Sequence, residues 1–494
     1  MLALLGHNIE EIRPLVALRA LVLSLLAGVL LYALLRLLLK DGLRAALVAS
    51  VILVLFFTYG HVYAFLEPLQ PLGFSPGRHR FLLPLWLLLF VSGIRWALRR
   101  RDLSGLTQGL NTISAVVLLF PLAQIALFGL RSLQASQVVQ AQQAPFELQL
   151  PQDPPDIYYI VLDAYARDDI LRQDLGLDNR PFLDELRELG FYIAPCSQSN
   201  YAQTQLSLTS SLNFTYLPDL SPEFQPGQTS RAGVAEFLRH NRARQALEGL
   251  GYTVIAFETG FKVTEWEDAD IFLTRPSNPY GELQVLEGMN DFEVLFLRST
   301  AGLALIDATA LLPQFIQQDL ENPSRIHYER IRYGLDELKR MPERSGPKFV
   351  FAHLVSPHPP FVFNAQGEFE VTDQDDLEGY RQQIRFLNRE IIPILQTLIE
   401  HSDTPPVILL QADHGAIHMP PGKRMAILNA YYLPRGGQDL LYENISPVNS
   451  FRLIFDYYFG GNFGLLEDGS YFSSYQQPFD FTLIKDPRAD CAPE

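Results

Sequence analysis

Cysteine is almost absent from this chain. Cys196 and Cys491 are the only two in 494 residues. They fit no metal-ligand spacing and no disulfide framework, which excludes a cysteine-built zinc module and a stapled mini-domain. A single bridge between them stays open outside the cytoplasm. Positive charge is also scarce: 39 Lys and Arg against 55 Asp and Glu leave a net charge of −16. That balance argues against nucleic acid as a partner. The soluble part shows no internal repeat and no long low-complexity tract.

Long apolar runs, by contrast, are abundant at one end. The hydrophobic share is 48% overall, but residues 1–132 are dominated by Leu, Val, Ala and Ile, whereas the remainder is rich in Tyr, Phe, Pro and Asp. The chain is too long for one ordinary core, so two or more units are expected. Four segments, Leu15–Leu39, Ala45–Leu66, Phe81–Leu98 and Thr112–Leu130, each approach the roughly 20 residues that cross a bilayer as a helix. Arg19 and Arg36 sit near the ends of the first, where they can snorkel. Arg36, Lys40 and Arg44 flank the first connection, and Arg95, Arg99, Arg100 and Arg101 the third. The second, Glu67–Arg80, holds only Arg78 and Arg80. The positive-inside rule then makes the first and third connections cytoplasmic and sends everything after about Arg131 outside, with the N-terminus on that same outer side. Residues 133–154, rich in Gln and Pro, read as a semi-extended linker. An extracytoplasmic domain follows over 155–494.

That domain alternates strands and helices. Apolar runs predict strands at Ile157–Leu162, Phe191–Ala194, Tyr252–Phe257, Lys348–Val355 and Val407–Gln411. Helical spacing covers Asp178–Leu189, Thr204–Leu212, Ile326–Met341, Leu377–His401 and Phe451–Tyr458. The expected fold is α/β, a mainly parallel central sheet with helices on both faces, attached to N-terminal transmembrane α-helices.

Two of the strands end in acid. Ile157–Leu162 runs into Asp163, and Val407–Gln411 runs into Ala412-Asp413-His414-Gly415. Ligands of open α/β sheets bind just outside the carboxyl ends of strands. Two carboxylates and an imidazole at one rim suit a divalent metal better than a core. Thr204 falls where a loop turns into a helix, and two readings stay open for it. It is an N-cap, or it is a nucleophile whose alkoxide the helix N-terminus stabilises. Ser207 and Tyr201 are weaker nucleophile candidates. His358, in the proline-bounded loop after the strand Lys348–Val355, can donate to an ester oxygen or a leaving group. His353, inside that strand, reads as a packed or supporting residue. The segment Arg424–Pro434 reads as a core strand near the sheet end, with Arg424 as a candidate contact for an anionic substrate.

Strand-Asp163, a hydroxyl at a helix start, a loop His358 and then Asp413-His414-Gly415, in that chain order, resemble the alkaline phosphatase and sulfatase superfamily over roughly residues 155–460. With the four-helix anchor, the chain resembles lipoteichoic acid synthases and phosphoethanolamine transferases. The resemblance implies Asp163, Thr204, Asp413 and His414 as metal ligands, Thr204 as nucleophile through a phosphothreonine, and His358 as a contact to the substrate phosphate. It implies one divalent metal ion (Mn²⁺, Mg²⁺, Ca²⁺ or Zn²⁺). It also implies an anionic phosphoester substrate, on a lipid or glycan head group, met at the membrane lipid bilayer. The sequence departs from sulfatases, because Cys196-Ser-Gln-Ser-Asn lacks the Pro and Arg that accompany a formylglycine. It also has Ala164 where two-metal relatives carry a second acid beside the first. A sulfate ester hydrolase and a non-catalytic envelope binding protein that keeps the fold are the rival readings.

Overall fold

The computed structural model describes all residues except 70–76, 101–102, 142–145, 276–288, 309–313, 374 and 487–494. Arg101 and Cys491 therefore lie outside the described residues, while Cys196 is disulfide-bonded. Two compact units emerge. One joins Met1–Leu127 with Asn278–Pro323; the other joins Phe128–Ser277 with Ser324–Glu494. This differs from the expected division at 132 and 155: residues 278–323 fall within the expected catalytic block yet group with the apolar helices.

Four helices are long and apolar enough to cross a membrane; three belong to the first unit, and the fourth runs from it past residue 127. They run Leu18–Leu39, Gly42–Leu66, His79–Arg99 and Ser104–Ala141. Lys40, in the left-handed region at φ 53°, ends the first helix. Asp41 opens the second, its carboxylate accepting from the N–H groups of Leu43 and Arg44; this is the usual satisfaction of free helix-start donors. The side chains are apolar on every face, and many are open. Leu30 is 68% exposed and Leu37 76%, a pattern fit for lipid rather than water. Leu47, Val48, Ala97 and Leu103 form a small core together with Leu35, Ile94 and Leu106. They come from the end of the first helix, the start of the second, the end of the third and the start of the fourth. The fourth helix continues to Ala141, so residues 133–141 of the expected linker are helical. Gln, Ala, Leu and Val are adequate helix formers, and no Pro or Gly intervenes before Pro145.

The second unit is built on a seven-stranded sheet. Its strands are β1 (Ile157–Leu162), β2 (Tyr192–Ile193), β3 (Thr253–Phe257), β4 (Ile271–Leu273), β5 (Lys348–Leu354), β6 (Val407–Gln411) and β7 (Asn429–Tyr432). The order is β2-β7-β6-β1-β5-β3-β4. Strands β6, β1, β5, β3 and β4 are parallel; β7 alone is reversed, and β2, antiparallel to β7, runs the same way as the five. β1 is wholly buried, as a central parallel strand must be. Its alternate residues serve two cores. Tyr158, Ile160 and Leu162 face one layer of helices, and Ile157, Tyr159 and Val161 face the other. The segment Arg424–Pro434, expected as one strand, starts as the end of a short helix, Pro421–Arg424, bridges singly from Ala426 to Gln198 and from Ile427 to Ala166, and forms a strand over Asn429–Tyr432.

Candidate metal centre and nucleophile

β1 lies between β5 and β6 and pairs in parallel with both, Leu162 beside Leu354 and Val161 beside Gln411. Residues just past these three strand ends therefore share one rim. The backbone ties them further: Asp163 N–H donates to Leu354 O (3.0 Å), and His358 N–H donates to Asp163 O (3.1 Å). Ala164, held at φ 65°, donates its N–H to Asp413 Oδ1 at 3.1 Å. A left-handed non-glycine residue is a strained turn that persists only where its surroundings fix it. Here it aims one acidic strand end at the other.

Asp163, Asp413 and His414 are 3%, 1% and 1% exposed. Asp163 Oδ2 lies 3.2 Å from His353 Nε2, whose Nδ1 lies 3.0 Å from Thr264 Oγ1. A carboxylate only accepts, so His353 presents N–H to Asp163 and acts as its orienting partner. Asp163 Oδ1 and Asp413 Oδ2 have no hydrogen-bond partner. His414 Nδ1 lies 2.8 Å from Gly415 O, which places a proton on Nδ1. Nε2 is then a lone pair, and burial lowers the imidazole pKa so that the ring stays neutral. This Nε2 sits 3.7 Å from Asp163 Oδ1 and 3.5 Å from Asp413 Oδ2. Three buried electron-pair donors thus face one another, their ligating atoms all within 4.8 Å. Burial alone would raise the Asp163 pKa. The charge of His358 and the His353 hydrogen bond outweigh it and hold the carboxyl well below the ordinary range. Buried unpaired acceptors are costly; a hard or borderline cation in their midst satisfies all three, and the donor set fits one. Among the described residues this is the one group of its kind.

The Asp-His-Gly order has a local reason. A Cβ on residue 415 would lie 2.6 Å from Ala426 O and 2.9 Å from Arg424 O, so only glycine lets that segment pass. Gly415 N–H donates to Arg424 O at 2.7 Å, and Arg424 lies close enough to Asp413 and Asp163 to feel both charges. Burial lowers its pKa, yet a guanidinium stays protonated, and its Nε has no partner.

Thr204 is the first residue of the helix Thr204–Asn213. The N-cap is Gln203, which makes no side-chain cap. The capping reading of Thr204 therefore gives way. Its Oγ1 lies 3.3 Å from His414 Nε2, at a half-buried position. Ser207 is fully buried, and Tyr201 accepts the Leu217 N–H at 3.0 Å, so neither is open to a substrate. His358 is half-buried, its ring 6.2 Å from that of His414. Its Nδ1 lies 2.7 Å from Pro359 O, which leaves Nε2 for another partner. One residue escaped sequence reasoning. His327, on the helix Gln314–Lys339, is buried with Nε2 unpartnered and stands within electrostatic reach of His358 and Asp163. A lone His on an amphipathic helix carries no spacing signal.

No protein-family model matches the sequence, and no curated protein does. Solved structures that resemble the fold include the following three. One is the integral membrane lipooligosaccharide phosphoethanolamine transferase A (EptA) of Neisseria meningitidis, 11% identical, TM-score 0.37, over 84% of this chain and 82% of that one. Another is the C-terminal periplasmic domain of EptC from Escherichia coli in complex with Zn, 11% identical, TM-score 0.43, over 70% and 98%. A third is the lipoteichoic acid synthase LtaP of Listeria monocytogenes, 12% identical, TM-score 0.37, over 70% and 80%. Likeness at this level says nothing about which residues react or with what.

Proposed function

We propose that this chain is a membrane-anchored, metal-dependent enzyme that transfers or hydrolyses phosphoester head groups outside the cytoplasm through a covalent phosphothreonine at Thr204. The observation that carries the reading is the convergence of unpartnered Asp163 Oδ1, unpartnered Asp413 Oδ2 and the His414 Nε2 lone pair beside the Thr204 hydroxyl. Asp163, Asp413, His414 and Thr204 would hold one divalent ion. Such an ion, when bound, lowers the pKa of a neighbouring hydroxyl and neutralises anionic ester oxygens.

The chain's own groups supply the rest. Thr204 Oγ1 attacks phosphorus and displaces the first alcohol. The amide N–H groups of the helix that Thr204 begins favour the anion in front of them. His358, with its Nε2 open, and Arg424 balance charge on the transferring oxygens. His353 keeps Asp163 oriented. A second alcohol, or water, then takes the group from Thr204. The stretch Cys196-Ser-Gln-Ser-Asn lacks the Pro and Arg that accompany a formylglycine, which supports phosphoester over sulfatase chemistry. A lipid donor suits an enzyme whose anchor keeps it at the bilayer, and the basic residues of the first and third connections support placing the soluble unit outside.

The test is metal-dependent turnover. Purified full-length protein, stripped with EDTA, should release the head group from a labelled glycerophospholipid only after a divalent ion is restored. Full activity in the stripped protein, with no bound metal by elemental analysis, would sink the proposal.

A further inference from the structure

The segment Met289–Ala308 lies within residues 278–323, the part of the soluble sequence that groups with the apolar helices. Its attachment to the apolar helices is polar and specific. Asn290 and Glu293 form a capping box at the start of the helix Asp291–Arg298. Asn290 Nδ2 also donates to Val16 O at 3.1 Å. Buried Glu293 pairs with Arg19, which donates Nε to Oε1 at 2.5 Å. Ala301 N–H donates to Phe56 O at 2.8 Å, and Phe296 lies 5.7 Å from Phe57. His79 Nε2 lies 2.7 Å from Asp307 Oδ2, while its Nδ1 meets Tyr59 OH at 2.6 Å. Gly60 lets the segment approach: a Cβ there would lie 2.2 Å from Arg298 O.

These anchors share one end of the bundle. Val16 and Arg19 open the first long helix, Phe56–Gly60 lie toward the end of the second, and His79 opens the third. Successive helices joined by short connections alternate in direction, so this is also the end at which the fourth helix leaves. The small core of Leu35, Leu47, Ala97 and Leu103 marks the opposite end.

The outward side of the segment sets two exposed leucines among exposed charge at Asp291 and Arg298. Asp291–Arg298 reads DFEVLFLR, with Phe292 buried and Leu295 39% exposed; in the next turn Leu303 and Ile306 are buried while Leu305 is 60% exposed. A short helix that is apolar beyond the face it packs needs a second apolar environment. Helix residues toward this same end are open as well, Leu23 58% and Phe65 71% exposed. We propose that Met289–Ala308 is a membrane-interface element: its polar groups dock on the outer helix ends, and Leu295 and Leu305 insert into the outer leaflet at the headgroup–acyl boundary. This rests on the part of the functional reading in which the four helices span a bilayer, and is independent of the chemistry.

The test uses the full chain in nanodiscs of phosphatidylethanolamine and phosphatidylglycerol. Leu305→Cys and Leu295→Cys would be labelled with bimane, with unmodified protein as the labelling blank. Quenching by a nitroxide lipid would be compared with quenching by aqueous iodide. Leu119→Cys (64% exposed on the fourth helix) and Leu465→Cys (52% exposed in the soluble unit) serve as references. Positions 305 and 295 should be quenched several-fold better by lipid than by iodide, as at 119, with 465 showing the reverse. If 119 is lipid-quenched but 305 and 295 behave like 465, this inference is overturned and the bilayer reading stands. If 119 also reads as aqueous, both fall.

Discussion

The two units break the same rule in opposite directions. In the first, large apolar side chains lie open: Leu30, Leu37 and Leu119 are 68%, 76% and 64% exposed. In the second, the core is closed in the ordinary way, Leu409 and Val161 at 0%, yet charged groups are shut in with it, Asp163 at 3% and Asp413 at 1%. In water, exposed apolar surface and buried unpaired charge are both unfavourable. The proposed function accounts for each from outside the chain: lipid around the first unit, a cation inside the second.

Substitutions at the two anomalies should therefore behave unlike substitutions at matching ordinary positions. The largest effect is expected for Asp413→Ala. It removes one donor of the group and the acceptor for Ala164 N–H, and should cut turnover by about 10³-fold or more with loss of bound metal by elemental analysis. Metal retained at wild-type stoichiometry would contradict the ligand assignment. Next comes Leu409→Ala, which empties a closed core site and should cost about 2–5 kcal/mol of stability. Leu119→Ala, facing lipid, should shift the apparent Tm far less, and equal shifts would erase the contrast between the units.

A pH series sharpens the buried-charge side. Burial, with Arg330 and His358 adding to it, pushes the His327 pKa down to about 3 from its ordinary 6.5. Folding thus favours its neutral form. The stability this represents is complete above about pH 6.5 and is lost as pH falls toward 3. Apparent Tm should drop more steeply between pH 7 and 4 in wild type than in His327→Asn; parallel curves would count against the shift. The smallest effect is expected for Gly415→Ala, where the new methyl must displace the 424–426 backbone. Its cost should be about 1–3 kcal/mol, with turnover falling because His414 and Arg424 move; an unchanged Tm and rate would show the close approach to be unimportant.

How much of this was legible in the sequence depended on how local the signal was. The strands ending in Asp163 and Asp413 could be read because each is a short apolar run stopped by an acid, and parallel pairing then brings both to one rim. The membrane helices were legible from length and composition, though not their ends: the fourth runs through Gln-rich residues that neither break a helix nor look like one. What stayed hidden was non-local. Nothing near His327 signals that its helix brings it within reach of His358 and Asp163. Nor does DFEVLFLR, in the middle of the soluble sequence, announce that Glu293 pairs with Arg19. Thr204 was ambiguous because an N-cap and a helix-start nucleophile share the same sequence position, and only the placement of Gln203 as the cap separates them.

The central claim is covalent chemistry at Thr204. Full-length protein would be incubated with a divalent metal and a labelled glycerophospholipid mixture, then compared with Thr204→Ala by intact-mass spectrometry. A phospho-adduct on the wild type that is missing from the variant is the expected result, and its mass would identify the head group. An adduct on both proteins, or head-group release by Thr204→Ala at the wild-type rate, would contradict the assignment.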